Sequence, residues 1–173
     1  MKLKRKDLKK KLLRQVPLIL LYISVLNNFD FNYLELKYFS FNFAYILIFY
    51  FSLKRSSSLG YVNIFIAGLF NDAVNGSPIG MSSLVYLILC GVAAYLRIIT
   101  LRTSWFKDWI AFIGAILLLN SLLFIIINLF LNYEISFINQ IVNILFTSLL
   151  YLLFSFLFSF FLGNSNARWR FWC

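Results

Sequence analysis

The chain has 173 residues, of which 62 % are hydrophobic and 13 % are charged, and its formal net charge is +10. Soluble globular domains are about half apolar and about a quarter charged, so this composition, arranged in long apolar runs, excludes an ordinary soluble domain. The basic residues gather in the N-terminal tail and at the ends of the apolar runs, a pattern that flanks membrane spans and does not indicate nucleic-acid binding. The chain contains no histidine, which excludes histidine-based catalysis and histidine metal sites, and we expect no cofactor.

Six apolar runs predict an all-α integral membrane protein with a six-helix transmembrane bundle. The predicted spans are 12–26, 38–53, 59–74, 82–96, 109–131 and 137–162. A basic cytoplasmic tail over 1–14 precedes the membrane domain, which covers 15–163, and a short cytoplasmic tail over 164–173 follows it. The third span is about 24 Å long, so it barely crosses a bilayer or ends below its far surface.

The distribution of basic residues predicts the orientation. With both termini inside, fifteen of the sixteen Lys and Arg residues lie on the inner side and only Lys37 lies outside. This agrees with the positive-inside rule and predicts a multi-pass protein of the bacterial inner (plasma) membrane with cytoplasmic termini. The N-terminal tail is expected to bind anionic membrane lipids.

The turn between the third and fourth predicted spans carries the most informative residue. Asp72 is the only carboxylate within or at the edge of an apolar run, where an ionised acid costs about 3 kcal/mol in hydrocarbon. Two explanations stay open from the sequence. Either backbone N–H groups of residues 76–82 bind the Asp72 carboxylate at the start of a new helix, or Asp72 lies in water at a loop.

The residues after Asp72 predict a tight elbow. Asn75-Gly76 is a turn dipeptide, Ser77 and Pro78 are typical of an N-cap followed by the first helical residue, and Gly80 removes side-chain bulk. The candidate interaction residues of this elbow are Gly68, Asp72, Gly76, Ser77, Pro78 and Gly80.

Small and polar residues recur on one side of several predicted helices. Asn63, Ala67 and Asn71 are four apart in the third span, and a stripe in the fourth contains Ser83, Leu87, Gly91 and Ala94, so these helices should pack closely below the elbow. Amide side chains either join helices or line a ligand pocket. The predicted helix-packing amides are Asn63, Asn71, Asn120, Asn128, Asn139 and Asn143.

The elbow resembles the signature of the rod shape-determining protein MreD family, in which a Gly-Leu-Leu-x-Asp run precedes Gly-x-Pro/Thr-x-Gly and another apolar helix. The corresponding residues here are Gly68, Leu69, Asp72, Gly76, Pro78 and Gly80. The resemblance implies a non-enzymatic scaffold of the cell-elongation complex (the elongasome) that organises peptidoglycan synthesis. It also implies binding to MreC and, through it, to RodA with its transpeptidase partner and to the MreB cytoskeleton. Whether the protein also forms a homo-oligomer stays open at this point.

Two other classes of membrane protein share features with this sequence. An intramembrane aspartyl hydrolase needs two carboxylates within reach of each other, and Asp72 stands alone. A substrate-binding subunit of an energy-coupling-factor vitamin transporter also has six short helices, and the MreD fold is thought to resemble it. Such subunits usually carry Ala-x-x-x-Ala in the first helix, whereas here Ala111 and Ala115 form that motif in the fifth span. The transporter therefore remains the alternative.

Overall fold

The structure is a computed structural model that describes residues 15–26, 41–54, 59–99, 104–130 and 137–163, without the side chains at 124, 126–130, 137–140 and 161–163. All the regular structure in these ranges is helical. The two predicted tails, 1–14 and 164–173, and most of the loops lie outside the described residues.

The described part of the chain forms six helices. They are α1 (Gln15–Leu26), α2 (Phe43–Lys54), α3 (Tyr61–Asn75), α4 (Met81–Ile99), α5 (Trp105–Phe130) and α6 (Phe137–Gly163). Three helical stretches in this part are long and apolar enough to cross a membrane: Met81–Ile99, Trp105–Leu123 and Ile141–Phe160. The helices α1, α2 and α3 are shorter than the roughly 20 residues that span a bilayer. The fold is therefore that of a helical membrane protein.

Several helix ends differ from the prediction. The second span was predicted to begin at residue 38. Residues 41 and 42 are not helical, and α2 begins at Phe43. The helix α5 begins four residues before the predicted start at 109, and α4 continues three residues beyond 96. The predicted basic loop between them is therefore shorter, because Arg97 and Lys107 both lie within helices.

The short helix α2 forms the centre of the molecule. All of its residues from Ala44 to Leu53 are buried, as expected of a helix that is apolar on every side. Phe49 contacts Phe112 of α5 and Tyr151 of α6, with ring centroids 5.1 and 5.9 Å away, and those two rings stack on each other at 4.1 Å. Aromatic contacts thus join α2, α5 and α6 into one core.

The helices α2, α3, α4 and α5 alternate in direction. Ser52 near the end of α2, Gly60 before α3 and Ala94 near the end of α4 line one cavity, so these three ends lie together. An ion pair between Lys54 and Asp108 brings the start of α5 to the same end. We call this the basic end, because Lys54, Arg97 and Lys107 lie there; the α3–α4 turn forms the opposite, elbow end.

Candidate functional site

The elbow begins where α3 ends. Gly76 has φ 64° and ψ 21°, a left-handed conformation that glycine adopts without strain, and its N–H bonds the Asp72 carbonyl. The Ser77 N–H bonds the same carbonyl at 3.1 Å. The Asn75-Gly76 pair therefore terminates the helix as the sequence predicts.

The Asp72 side chain turns into this elbow and is completely buried, at 0 % exposure. Its Oδ2 accepts the Gly80 N–H at 2.7 Å, and its Oδ1 accepts the Ser82 N–H at 3.0 Å. The Ser77 hydroxyl donates to Oδ1 at 2.9 Å. The prediction that N–H groups of residues 76–82 bind this carboxylate is confirmed, and the alternative of a solvated loop acid is wrong.

The predicted capping role of Ser77 and Pro78 is also wrong. The helix α4 begins at Met81, and the Met81 N–H bonds the Pro78 carbonyl across a preceding turn. Asp72 supplies the cap from another helix, which frees the Ser77 hydroxyl to donate to that carboxylate. Gly80 has φ 101° with open space around its Cα, so glycine is needed there for backbone conformation and not to reduce bulk.

Below the elbow, α3 and α4 are in backbone contact. A Cβ added at Gly68 would lie 2.4 Å from the Cα of Ser83, a distance that only glycine permits. The Ser83 hydroxyl donates to the Phe65 carbonyl at 3.0 Å, and the Asn71 amide donates to the Ser82 hydroxyl at 2.8 Å. The predicted close packing of these helices is confirmed. Gly91, predicted to share the packing stripe, is instead exposed.

The predicted helix-packing amides have different surroundings. Asn71 bonds across to α4, whereas Asn63 and Asn120 donate to carbonyls four residues back in their own segments, Leu59 and Ile116. Asn143 accepts from Thr147 within α6. Asn128 and Asn139 lie in α5 and α6, and their side chains are outside the described residues.

Thr147 makes an interhelical link that was not predicted from the sequence. Its hydroxyl accepts the Asn42 N–H at 3.2 Å, just before α2 begins, and donates to the Asn143 carbonyl at 2.7 Å. A threonine one turn after an asparagine gives little signal of a partner more than a hundred residues away.

The basic end contains a second buried acid. Asp108 is 4 % exposed, and its Oδ2 lies 3.4 Å from the Nζ of Lys54, which in turn lies 5.2 Å from the centroid of the Tyr50 ring. Nearby, the Trp109 indole N–H donates to the Ser148 carbonyl at 2.9 Å. These contacts join the start of α5 to α2 and α6. Asp108 lies between the predicted spans 82–96 and 109–131, and neither its burial nor its pairing with Lys54 was predicted from the sequence.

The cavity at the basic end is small. It measures about 20 Å³ and is bordered by Ser52, whose hydroxyl donates to the Cys90 sulfur at 3.2 Å. This volume holds about one water molecule, and ligand pockets for cofactor-sized molecules are on the order of 300 Å³ or more. Among the described residues, no group of three His, Cys, Asp or Glu side chains is arranged to hold a metal ion.

Comparison of the chain with models of protein families, with curated proteins and with solved structures finds no significant match in any of the three.

Proposed function

We propose that this protein is a six-span scaffold of the bacterial cell-elongation complex, similar in role to the rod shape-determining protein MreD family. It would lie in the inner membrane with both termini in the cytoplasm, bind MreC, and help to organise peptidoglycan synthesis by RodA and its transpeptidase partner alongside MreB. The proposal depends on the elbow resemblance, and one structural observation supports it. The elbow is shaped by three of the residues on which the resemblance is based: Asp72 through its carboxylate, and Gly76 and Gly80 through their positive φ angles.

The chemistry of Asp72 favours a structural role. Both carboxylate oxygens accept hydrogen bonds from the chain itself, and the side chain has no exposed surface. A general acid or base must reach a substrate proton, and this carboxylate is committed to the elbow instead. Such a rigid turn suits a protein whose task is to present a fixed surface to a partner.

The test is co-purification from membranes. We expect affinity-tagged protein, solubilised in mild detergent, to carry MreC with it. Asp72→Leu should reduce the recovered MreC strongly while membrane insertion is unchanged, because insertion depends on hydropathy and not on this residue. Ser77→Ala, which removes a single donor from the same carboxylate, is the matched control and should retain most of the MreC.

The transporter alternative makes the opposite prediction. Stoichiometric binding of a vitamin by the purified protein, together with no recovery of MreC, would replace the scaffold proposal. The 20 Å³ cavity between α2, α3 and α4 cannot contain a vitamin without the helices moving apart.

A further inference from the structure

The α3–α4 hairpin enters the bundle from the basic end. Gly60 at its start and Ala94 near its finish line the same small cavity, and Lys54 and Arg97 lie at this end. Basic residues beside apolar helices mark the membrane–water interface. The open end of the hairpin is thereby assigned to headgroup level, and the elbow lies one helix length deeper.

One leg of the hairpin, α3, is too short to cross a bilayer, because its 15 residues give about 22 Å of helix. The other leg, α4, is long enough over its whole length, but from Arg97 at the basic end to Met81 at the elbow it reaches only about 26 Å. A typical hydrocarbon core is about 30 Å thick. In the same molecule, the 26 residues of α5 and 27 residues of α6 give about 39 and 40 Å, enough to cross completely.

Most backbone N–H groups of the elbow are satisfied without water. Of the six N–H groups from Gly76 to Ser82, five donate to acceptors within the hairpin, and only that of Ile79 has no such acceptor; the five are those of Gly76, Ser77, Gly80, Met81 and Ser82. Pro78 has no N–H to satisfy. In hydrocarbon each unsatisfied backbone group is costly, so non-helical chain is tolerated there only when such bonds are made internally.

The outer surface of the elbow is uncharged and mainly apolar, with Asn75 as its exposed polar side chain. Ile79 at the tip is 84 % exposed, and Phe70 and Val74 on the last turns of α3 are about half exposed. Asp72 is the only charged residue between Tyr61 and Leu96, and it is fully buried. Water would be a poor solvent for such a tip, whereas acyl chains match it.

We propose that the elbow tip, formed by Phe70, Val74 and Ile79, lies among the lipid acyl chains of the far leaflet, and that this leaflet is thinner over the α3–α4 face than over α5 and α6. The hairpin then ends below the far headgroups, and the lipid deforms to meet it. This inference concerns the lipid contacts of the elbow and does not depend on the MreC assignment.

The test measures the depth of a nitroxide spin label at Ile79→Cys. The full-length protein, with Cys90→Ala and Cys173→Ala as the background, is reconstituted in phosphatidylcholine vesicles. Collision rates with oxygen, which concentrates in hydrocarbon, and with a water-soluble nickel complex are compared. Leu118→Cys, on the exposed face of α5, is the lipid reference, and Ser104→Cys, exposed at the basic end, is the water reference.

We expect the label at position 79 to behave like the one at 118, with a nickel collision rate severalfold lower than at 104. In short-chain lipid the nickel rate at 79 should rise and in long-chain lipid it should fall, because the tip approaches or recedes from the far surface. Thermal unfolding of each labelled variant in detergent checks that the fold is retained.

Two outcomes would overturn the proposal. A nickel rate at 79 equal to that at 104 in all three lipids would mean that the tip lies in water. Low rates with both reagents would mean that a protein chain, either a second copy or another partner, covers the tip.

Discussion

At the scale of single residues, Asp72 joins two helices through its side chain. Its two oxygens accept from Ser77, Gly80 and Ser82, all of which follow the end of α3. Charge-assisted hydrogen bonds of this kind are about twice as strong as neutral ones, and the partial positive charge at the start of α4 adds to them. Among the described residues, no basic side chain pairs with Asp72, so two backbone N–H groups and the Ser77 hydroxyl offset its burial.

Replacement of Asp72 should therefore show a graded loss of stability. Asp72→Leu leaves the Gly80 and Ser82 N–H groups without partners, at about 1–3 kcal/mol for each buried donor. In Asp72→Asn the amide oxygen can still accept from Ser82, but its NH₂ group meets the Gly80 N–H, donor against donor. We expect thermal unfolding in detergent to rank wild type above Asn and Asn above Leu. Equal unfolding temperatures for Leu and wild type would contradict the capping role.

The buried ion pair at the basic end makes a second prediction at this scale. Lys54→Met leaves the Asp108 carboxylate buried without its cation. Loss of one partner destabilises a fully buried pair by about 3–5 kcal/mol, and the loss should be smaller here because the Lys54 side chain is 24 % exposed.

The double variant Lys54→Met/Asp108→Asn is the control for that pair. It removes both charges, so we expect it to recover much of the stability that Lys54→Met loses. The single variant Asp108→Asn completes the comparison. If the stability loss of the double variant equalled the sum of the losses of Lys54→Met and Asp108→Asn in thermal unfolding measurements, the carboxylate would not be interacting with Lys54.

At the scale of elements, the crossing of α3 and α4 depends on one glycine. Gly68 allows the backbones to touch at Ser83, and the hydrogen bond from Ser83 to the Phe65 carbonyl forms only at that separation. Small residues permit such close approach between membrane helices, where van der Waals packing replaces the hydrophobic driving force.

Gly68→Ala should consequently push α3 and α4 apart and lower the stability of the protein. The added methyl group would meet the backbone of Ser83, which cannot rotate away as a side chain can, and overpacking of this kind costs about 1–3 kcal/mol. Gly114→Ala is the matched control, since nothing lies within 4 Å of its added Cβ, and it should be neutral or slightly stabilising through helix propensity. Equal thermal stabilities of the two variants would contradict the close crossing.

At the scale of the whole molecule, short helices lie beside long ones. The 12 residues of α2 are enclosed by α4, α5 and α6, whereas α5 and α6 extend far enough to cross a bilayer. The basic residues Lys54, Arg97 and Lys107 gather at one end, as the positive-inside rule predicts for a cytoplasmic face.

The proposed topology is tested by cysteine labelling in intact cells with Cys90→Ala and Cys173→Ala as the background. A cysteine at Asp30, in the predicted loop before the second span, should react with a membrane-impermeant thiol reagent. A cysteine at Ser57, in the basic segment between the second and third predicted spans, should react only after the membrane is opened. The reverse pattern would overturn the orientation with cytoplasmic termini.

Much of the hairpin follows from local sequence. The Asn75-Gly76 pair ends α3 because only a residue that tolerates positive φ can stop the helix there, and a lone acid in an apolar run needs backbone donors because no water reaches it. The start of α4 did not follow from local sequence. Ser77 and Pro78 are residue types typical of a helix start, but the cap of α4 comes from Asp72 across the elbow. Gly80 has a positive φ, and the helix begins after it, at Met81.

Composition and charge by themselves determined the membrane character, the helical fold and the position of the elbow, since each depends on residue type along the chain. Which helix faces make contact was decided only by the tertiary structure. Lipid-facing and protein-facing surfaces of a membrane helix are both apolar, so periodicity does not separate them. Gly68 and Gly91 both lie in the α3–α4 hairpin, yet only Gly68 touches a neighbouring helix. In the same way Asn71 bonds across helices while Asn63 bonds within its own segment, because only Asn71 meets a partner hydroxyl when the hairpin closes.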